Sequence, residues 1–342
     1  MMKRFMLIFL SILLLAATAG CTGSGTPEKG GEDGAASGNA TDTGVTLKVA
    51  SIQGPSALSM IHMIENNPSL GNDAKAEYII KDSPETVRAM LIHSEADIAT
   101  IPTNLASILY NKGIQYQTAA IGLWGTLYLV GKDNSAIRQW DDLKNKRIYL
   151  MAKGMTPDIS FRYMLEKKGI DPEKDVILDY RYPMPQELAG AVGAGRADLA
   201  VLSEPMVSTL LAKNSSLKII MDLTREWDET AENKIPLAQT CVFVKKEFAL
   251  KYPGIVAGFL KEYEKSIQWV NANTEEAGQL AVKHGIMPAA DVASDTIPRC
   301  NMRYEDASSV KEGINAYLKV FYDFDPNIVG GKLPDEGFYY KK

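Results

Sequence analysis

The chain has 342 residues, 42 of them acidic and 37 basic, which gives a formal net charge of −5. This mild negative balance, without a visible cluster of basic residues, argues against a nucleic-acid partner. Three cysteines are too few for a disulfide framework. The length is sufficient for two domains that each bury a core.

The chain begins with the pattern of a secretory signal peptide. Lys3 and Arg4 precede an apolar run over residues 5–15, and small residues follow up to Gly20. This order of basic, apolar and small residues is typical of signal peptides. The apolar run is too short to remain as a membrane span. Residues 1–20 are therefore predicted to be a signal peptide.

The next segment reads as a lipid anchor and tether. The step Thr18-Ala19-Gly20-Cys21 resembles a bacterial lipobox, with Thr18 where leucine is usual. Residues 21–44 are rich in Gly, Ser, Thr and Ala and cannot build a core. We expect a lipidated tether that reaches about 25–30 Å and holds the protein outside the cell membrane, at the cell surface or in the periplasm. The alternative is a cleaved signal peptide with a free Cys21.

The remaining chain contains a weak duplication with an offset of about a hundred residues. Each copy reads as a strand, a glycine or polar turn and a helix, repeated to give a βαβαβ unit. In this pattern Ser56 and Thr156 are predicted N-caps. The matching pieces are residues 47–52 and 147–152, residues 78–80 and 176–178, and residues 96–101 and 197–202.

Runs rich in Val, Ile and Leu that alternate with helices predict parallel sheets covered on both faces. Apolar strands at residues 127–130 and 241–244 could carry the chain from one unit to the other and back, as a two-strand hinge. The predicted fold is α/β, with two doubly wound domains around a central cleft. Domain 1 would comprise residues 45–128 and 243–342, and domain 2 residues 129–242.

In such sheets, ligands bind beyond the carboxyl ends of the strands, where loops enter helices. A cleft needs backbone donors, a few polar side chains and apolar walls. The predicted ligand-binding residues, which meet these needs, are Gln53, Gly54, Pro55, Ser56, Pro102, Thr103, Asn104, Trp124, Gly125, Lys153, Gly154, Met155, Thr156, Asp158, Tyr182, Ser203, Glu204 and Pro205.

Several of these residues have a purely structural alternative. Thr103, Asn104 and Ser203 could only cap the helices that follow them, and Asp158 could only meet the positive end of its helix dipole. Trp124 and Tyr182 could belong to the core instead of stacking on a flat ligand.

Charge bears on the ligand class. Carboxylates such as Glu204 in a closed cleft would repel a purely anionic ligand and favour one with an amine or a ring N–H. Lys81, Lys153 and Arg181 would favour a sulfonate or carboxylate, and Arg299 could reach the cleft from the C-terminal helices. A zwitterion or a polar heterocycle would satisfy both charge signs.

The other reactive side chains predict no cofactor or metal. His62, His93 and His284 share no metal-ligand spacing. Cys241 and Cys300 are expected to be two buried thiols, with a single bridge as the alternative.

These features together resemble a known family. They include the paired Ala-Asp strands, the Ser203-Glu204-Pro205 turn and the segment at residues 140–146. The chain resembles the type II periplasmic-binding-protein-like receptors of nitrate, sulfonate, taurine and bicarbonate ABC importers, a superfamily that also includes pyrimidine-precursor binders. The resemblance implies a monomeric, non-enzymatic receptor that captures a sulfonate-like, taurine-like or aminopyrimidine-like solute and delivers it to a permease and its ATPase.

Two alternatives stay open. The first is an enzyme on the same fold, resembling members of the menaquinone or pyrimidine-synthesis pathways, although the loops contain no Cys-His or Ser-His pairing. The second is a lipoprotein that senses a ligand for a signalling partner.

Overall fold

The structure, a computed structural model, describes residues 44–133, 135–231 and 235–342. The predictions of a signal peptide, of lipidation at Cys21 and of almost all of the tether concern residues outside this set.

The described chain alternates strands and helices. The strands are β1 (Thr46–Ile52), β2 (Lys75–Lys81), β3 (Ile98–Pro102), β4 (Tyr116–Leu123), β5 (Leu127–Lys132), β6 (Arg147–Tyr149), β7 (Ile177–Asp179), β8 (Leu199–Ser203), β9 (Leu217–Asp222), β10 (Thr240–Lys245) and β11 (Met302–Asp306). The helices are α1 (Pro55–Leu58), α2 (Ile61–Asn66), α3 (Pro84–Ile92), α4 (Thr103–Asn111), α5 (Thr156–Lys167), α6 (Pro185–Gly193), α7 (Met206–Lys213), α8 (Leu223–Thr230), α9 (Lys246–Lys251), α10 (Pro253–Ala272), α11 (Thr274–Lys283), α12 (Ala290–Thr296) and α13 (Lys311–Phe324). Short 3-10 helices include Trp140–Leu143 and Ile297–Arg299.

The strands form two sheets with the same internal order. The six-stranded sheet runs β11-β4-β10-β3-β1-β2, and the five-stranded sheet runs β9-β5-β8-β6-β7. In each sheet the three strands of the predicted duplication are parallel, and the strand next to them, β10 or β5, is antiparallel. The duplication is therefore present as two equivalent α/β halves, which confirms the predicted fold class.

The antiparallel strands correct one expectation. The sheets are mixed and not purely parallel, because β10 and β5 each enter the sheet from the opposite direction after the chain has changed sheets. A buried apolar run looks the same in either direction, so its sequence does not report the orientation.

The chain passes between the sheets twice. The first passage, at residues 124–126, joins β4 to β5, and the second, at residues 223–239, contains α8 and leads to β10. Gln239 holds the passages together: its backbone N–H donates to Leu123 O at 3.1 Å and its side-chain amide donates to Thr126 Oγ1 at 3.0 Å. The predicted strands at residues 127–130 and 241–244 exist, but each lies within one sheet and the passages lie beside them.

Three apolar cores stabilise this arrangement. One core covers a face of both sheets and runs continuously through α5, α8 and α13. A second core packs the other face of the six-stranded sheet against α10, α11 and α12. The third packs the other face of the five-stranded sheet against α6 and α7. We call the six-stranded sheet with its helices the first lobe, and the five-stranded sheet with α5 to α8 the second lobe.

The predicted helix starts differ in detail. Ser56 and Thr156 are not N-caps, because α1 begins after Gly54 and α5 after Met155, so both residues lie in the first turn. The apolar positions 58, 61 and 64 lie on two short helices, α1 and α2, where one helix was expected. A single turn at Ser59 and Met60 separates these helices.

Candidate functional site

The loops that follow β1 and β3 in the first lobe approach the loop that follows β8 in the second lobe, and we call the region between them the gap. Gly54 follows β1 in the first lobe and Pro205 follows β8 in the second, and a Cβ atom added to Gly54 would lie 3.6 Å from Pro205 Cδ. The turn at Gly54 and the turn at Pro205 therefore lie next to each other. Gly54 has φ +97°, a left-handed value that favours glycine.

The loop after β3 adds buried polar side chains to the first lobe. Thr103 is fully buried and Asn104 is 5% exposed, and both lie in the first turn of α4 beyond Pro102. Because β3 lies next to β1 and parallel to it, this turn and the Gly54 turn are at the same edge of the sheet. The N-cap of α4 is Pro102, so neither side chain caps the helix.

Thr103 and Asn104 are polar residues whose side chains are little used by the rest of the protein. The Thr103 hydroxyl is buried and approaches the Cys241 thiol, but it makes no hydrogen bond of normal geometry. Among the described residues the Asn104 amide also makes no side-chain hydrogen bond, whereas the neighbouring Asn111 donates to Val329 O and Lys332 O. A buried polar group without a partner is costly, and such groups are a signature of sites that receive a ligand or water.

A line of hydroxyl groups lies beneath this turn. Ser51 Oγ and Thr100 Oγ1 are 2.6 Å apart on neighbouring strands, and both residues are fully buried. The Thr118 hydroxyl lies 4.0 Å from Cys241 Sγ. Burial raises the pKa of the Cys241 thiol to about 12, a rise that the neighbouring hydroxyls of Thr118 and Thr103 only partly oppose. The predicted free thiols are confirmed, since Cys241 and Cys300 are both unbridged and buried.

Glu204 is buried at the rim of the second lobe, and the protein supplies all its partners. Its carboxylate accepts from the backbone N–H of Ser208 at 3.1 Å and from the Ser208 hydroxyl at 2.9 Å. Thr296 Oγ1 lies 3.5 Å away and Arg299 Nη1 3.7 Å away. Burial raises the pKa of Glu204, and these hydrogen bonds and Arg299 oppose the rise. The sequence analysis missed Ser208, four residues after Glu204 and thus one helical turn along α7.

The loop before α5 forms a separate polar cluster. Asp158 is 1% exposed and accepts hydrogen bonds from Gly154 N at 2.7 Å, Arg162 Nε at 2.8 Å and the Tyr180 hydroxyl at 2.6 Å. These contacts favour the structural alternative for Asp158, which ties its own loop to the helix. Arg162 also pairs with Glu173. A pocket of about 690 Å³ next to this cluster is lined by Lys153, Gly154, Asp158, Arg162, Glu166, Gly169, Ile170, Asp171, Pro172, Glu173 and Phe324.

The remaining residues of that loop are more open. Lys153 lies over the Tyr180 ring at 5.2 Å, Met155 is 49% exposed and Thr156 is half-buried. Arg181 is held by Asp179 at 2.7 Å. In the first lobe, Lys81 lines a different pocket of about 550 Å³ together with Gln53, Ile80, Asp82, Thr86, His284 and Gly285.

The predicted aromatic residues contact protein groups. The Trp124 indole N–H donates to Arg303 O at 2.7 Å, and the Arg303 guanidinium lies 4.5 Å from the centre of its ring. Gly125 is required where it stands, because a Cβ atom there would lie 2.5 Å from Thr224 Oγ1. Tyr182 packs against Tyr149 with ring centroids 6.0 Å apart. These contacts favour the alternative in which Trp124 and Tyr182 pack against the protein and do not stack on a ligand.

One contact joins the passage between the lobes to the polar turn of α4. The Thr103 backbone N–H donates to Gln239 O at 3.0 Å, and Gln239 also bonds to Leu123 and Thr126 in the other passage. The first residue of α4 is thus tied to both chain passages. A change in the angle between the lobes would be felt at Thr103 directly.

Comparison with known proteins places this geometry in a family. The sequence model of the family described as menaquinone biosynthesis matches residues 47–323, more than half of the chain. The chain belongs to this family. A solved structure described as an ABC transporter from Parabacteroides distasonis is 31% identical to it, with 87% of this chain and 99% of that chain covered and a TM-score of 0.75. The chain is thus also similar, over most of its length, to a protein described as an ABC transporter.

Two further relatives are more distant. The periplasmic aliphatic sulphonate binding protein SsuA of Escherichia coli superimposes with a TM-score of 0.70 at 15% identity, over 86% of this chain and 92% of that chain. This likeness shows the fold of the periplasmic solute-binding proteins of ABC importers. The Bacillus subtilis protein YtlA, described as a binding protein, is 27% identical over 156 residues, which is 46% of this chain and 44% of YtlA. The match thus spans less than half of that relative.

Among the residues of this chain that the structure describes, no helix is both long and apolar enough to cross a bilayer.

Proposed function

We propose that this chain is the extracytoplasmic solute-binding component of an ABC importer. It would capture a small polar organic solute by closure of its two lobes and deliver it to a permease and an ATPase. One observation carries the proposal: loops of the two lobes lie next to each other at Gly54 and Pro205, and the buried polar residues Thr103 and Asn104 lie at the same edge of the first sheet. The solute-binding fold of its relatives supports it.

The unsatisfied side chains define what the solute must offer. Leaving a buried polar group unpaired costs about 1–3 kcal/mol, so a ligand that accepts from the Thr103 hydroxyl recovers that free energy on binding. The Asn104 amide can offer the ligand a second donor. Both groups are neutral. They can bind an oxygen of a sulfonate or a ring nitrogen of a heterocycle equally well.

The structure changes the electrostatic argument about ligand class. Glu204 and Asp158 seemed to exclude a purely anionic ligand, but each lies against an arginine, Arg299 and Arg162 respectively. A carboxylate with an adjacent guanidinium repels an anion much less than an unpaired one. We therefore keep sulfonate-like, taurine-like and aminopyrimidine-like solutes as the proposed class, and we do not require an amine on the ligand.

A thermal-shift screen tests the function and the class. Taurine, ethanesulfonate, an aminopyrimidine and nitrate are each added to the purified chain. We expect one of the first three to raise the melting temperature, since a ligand at a hundred times its Kd stabilises a protein by about 2.7 kcal/mol. A shift with nitrate alone would overturn the ligand class, and no shift with any small solute would overturn the function.

The same screen tests the site through a matched pair of variants. Asn104→Ala removes the unpartnered amide and should abolish most of the shift. Asn66→Ala removes an exposed amide that donates to His62 O on α2, so it should leave the shift unchanged. An equal shift in Asn104→Ala and wild type would mean that the solute binds elsewhere.

An enzyme is the second candidate, because the family description names a biosynthetic pathway. At the gap, the described side chains are hydroxyls, an amide and a Glu204 carboxylate engaged by Ser208 and Arg299. Such groups suit binding better than proton transfer or nucleophilic attack. The stabilising compound should be incubated with the protein and recovered for mass spectrometry. A receptor returns it unchanged, whereas any change in mass would favour the enzyme.

The organisation of the chain completes the proposal. We propose domain 1 at residues 45–128 and 243–342, domain 2 at residues 129–242, and a lipid on Cys21 that holds a monomeric receptor at the outer face of the membrane. The likeness to periplasmic binding proteins supports an extracytoplasmic location.

A further inference from the structure

Two of the contacts between the lobes have opposite chemical character. The first is apolar and continuous with the core. Trp227 of α8 is fully buried, and its ring lies 4.7 Å from that of Tyr163 on α5 and 6.1 Å from that of Tyr317 on α13. Separating these helices would expose a large aromatic surface to water, which is strongly unfavourable. The lobes are therefore joined permanently on this side.

The second contact is polar. Here α12 and the 3-10 helix Ile297–Arg299 of the first lobe meet α7 and the Glu204 turn of the second. Arg299 Nη1 donates to Ser208 Oγ at 2.7 Å and lies 3.7 Å from Glu204 Oε1, and Thr296 Oγ1 lies 3.5 Å from Glu204 Oε2. The Tyr128 hydroxyl of β5 donates to Arg299 O at 2.8 Å.

The apolar cores stop short of this polar contact on both sides. Val292 and Ile297 belong to the core of the first lobe, whereas Val207 and Leu210 of α7 belong to a separate core in the second. Parting the lobes here would open neither core. Water could replace the hydrogen bonds of Glu204, Ser208 and Arg299, so the net cost of separation is modest.

We propose that Glu204, Ser208, Thr296 and Arg299 form a latch that holds the two lobes closed before any solute is bound, and that the lobes open at this contact while the Trp227 side acts as the hinge. The proposal rests on the function proposed above, because opening and closing of the gap is what a solute receptor needs. The latch sets the fraction of receptor molecules that are open and can admit a solute. The apparent affinity for the solute falls in proportion when the fraction of binding-competent molecules falls.

The prediction is tested by the distance between two spin labels in the absence of solute. Labels are attached to Ala212→Cys on α7 and Gln279→Cys on α11, both exposed positions on opposite sides of the latch. The full chain carries Cys21→Ser, and Cys241 and Cys300 are buried and unreactive. We expect a single short distance in the unmodified latch, and an added longer distance in Arg299→Gln and Glu204→Gln, with the ratio of open to closed molecules raised roughly tenfold.

Matched variants make the result specific. Arg225→Gln removes an arginine whose partner Glu229 is 3.5 Å away on the exposed face of α8, so it changes the net charge equally but should leave the distances unchanged. Ser208→Ala removes the two side-chain hydrogen bonds of Ser208, to Glu204 and from Arg299, and keeps both charges, so it should give a smaller population of open molecules than the charge variants. It also serves as the readout if a charge variant fails to fold by circular dichroism.

Three results would overturn the latch. They are unchanged distances in all folded latch variants, an open distance as the only one in the unmodified protein, or an equal effect of Arg225→Gln. Because no solute is present, these outcomes are independent of the thermal-shift screen. A protein that binds none of the solutes but opens in the variants would retain the latch and lose the proposed receptor function.

Discussion

Gly54 offers a sharp test of the loop geometry, because adding one methyl group in Gly54→Ala could destabilise the protein either by backbone strain or by steric crowding. Its backbone has φ +97° and ψ −143°, in a region that is almost exclusive to glycine. A Cβ atom would lie 3.6 Å from Pro205 Cδ, an ordinary contact distance, so steric crowding against the second lobe adds little. The loss in Gly54→Ala must therefore come from backbone strain.

The expected magnitude follows from that strain. A side chain forced into this region costs about 1–3 kcal/mol, so Gly54→Ala should lower the free energy of unfolding by that amount. The melting temperature should fall on the order of 2–4 °C for each kcal/mol in a protein of this size. Urea unfolding followed by circular dichroism gives the free energy, and a thermal melt gives the temperature.

A second glycine provides a control of opposite sign. Gly190 is exposed within α6, and a Cβ atom there would meet nothing within 4 Å. Alanine is favoured over glycine in a helix, so Gly190→Ala should stabilise the protein by about 0.5–1 kcal/mol. If Gly54→Ala proved as stable as wild type, or shifted in the same direction as Gly190→Ala, the assigned backbone conformation at the rim of the gap would be wrong.

Three further predictions concern other parts of the molecule. Asp158→Asn breaks the buried pair with Arg162 and should reduce the free energy of unfolding by about 3 kcal/mol in urea. Asp171→Asn, in an exposed pair with Lys174, should leave the free energy of unfolding almost unchanged, and equal losses would contradict the buried network. The thiolate is the reactive form of cysteine, and burial raises the pKa of Cys241 to about 12. A disulfide reagent at mildly alkaline pH should therefore modify the buried Cys241 and Cys300 only after denaturation, whereas a cysteine introduced as Ala212→Cys should react at once. Rapid reaction of Cys241 or Cys300 in the native protein would refute their burial. Cys21→Ser should abolish incorporation of a labelled fatty acid and release the protein from membranes, whereas Ser24→Ala should do neither. Incorporation of the fatty acid into the Cys21→Ser protein would rule out Cys21 as the anchor.

Local patterns predicted the repeated units well. The pieces at residues 47–52 and 96–101 correspond to β1 and β3, and those at residues 147–152 and 197–202 to β6 and β8. Each piece combines a buried apolar run with a turn signal, and both are properties of neighbouring residues. The equivalence of the two sheets then followed from one shared offset.

Features that depend on distant residues could not be predicted in this way. Arg299 lies 91 residues from Ser208, its hydrogen-bond partner, and no local pattern connects them. The pairing of Glu204 with Arg299 was also hidden from the sequence, and it weakens the electrostatic argument against an anionic ligand, because the field of a carboxylate depends on the charges that the fold brings next to it. The sequence could not predict that β10 and β5 run antiparallel to their neighbours for the same reason. The strand with which a strand pairs, and not its own side chains, determines whether the pairing is parallel or antiparallel.

The distribution of charge in the gap leads to a final inference about selectivity. The acidic groups predicted from sequence at the gap are engaged by arginines, and the polar side chains at the start of α4, the Thr103 hydroxyl and the Asn104 amide, are neutral. A site with neutral donors selects by the position of acceptor atoms and by shape more than by net charge. We therefore expect solutes that differ only in charge to compete for the gap, and solutes that lack a correctly placed acceptor to be rejected even when their charge matches.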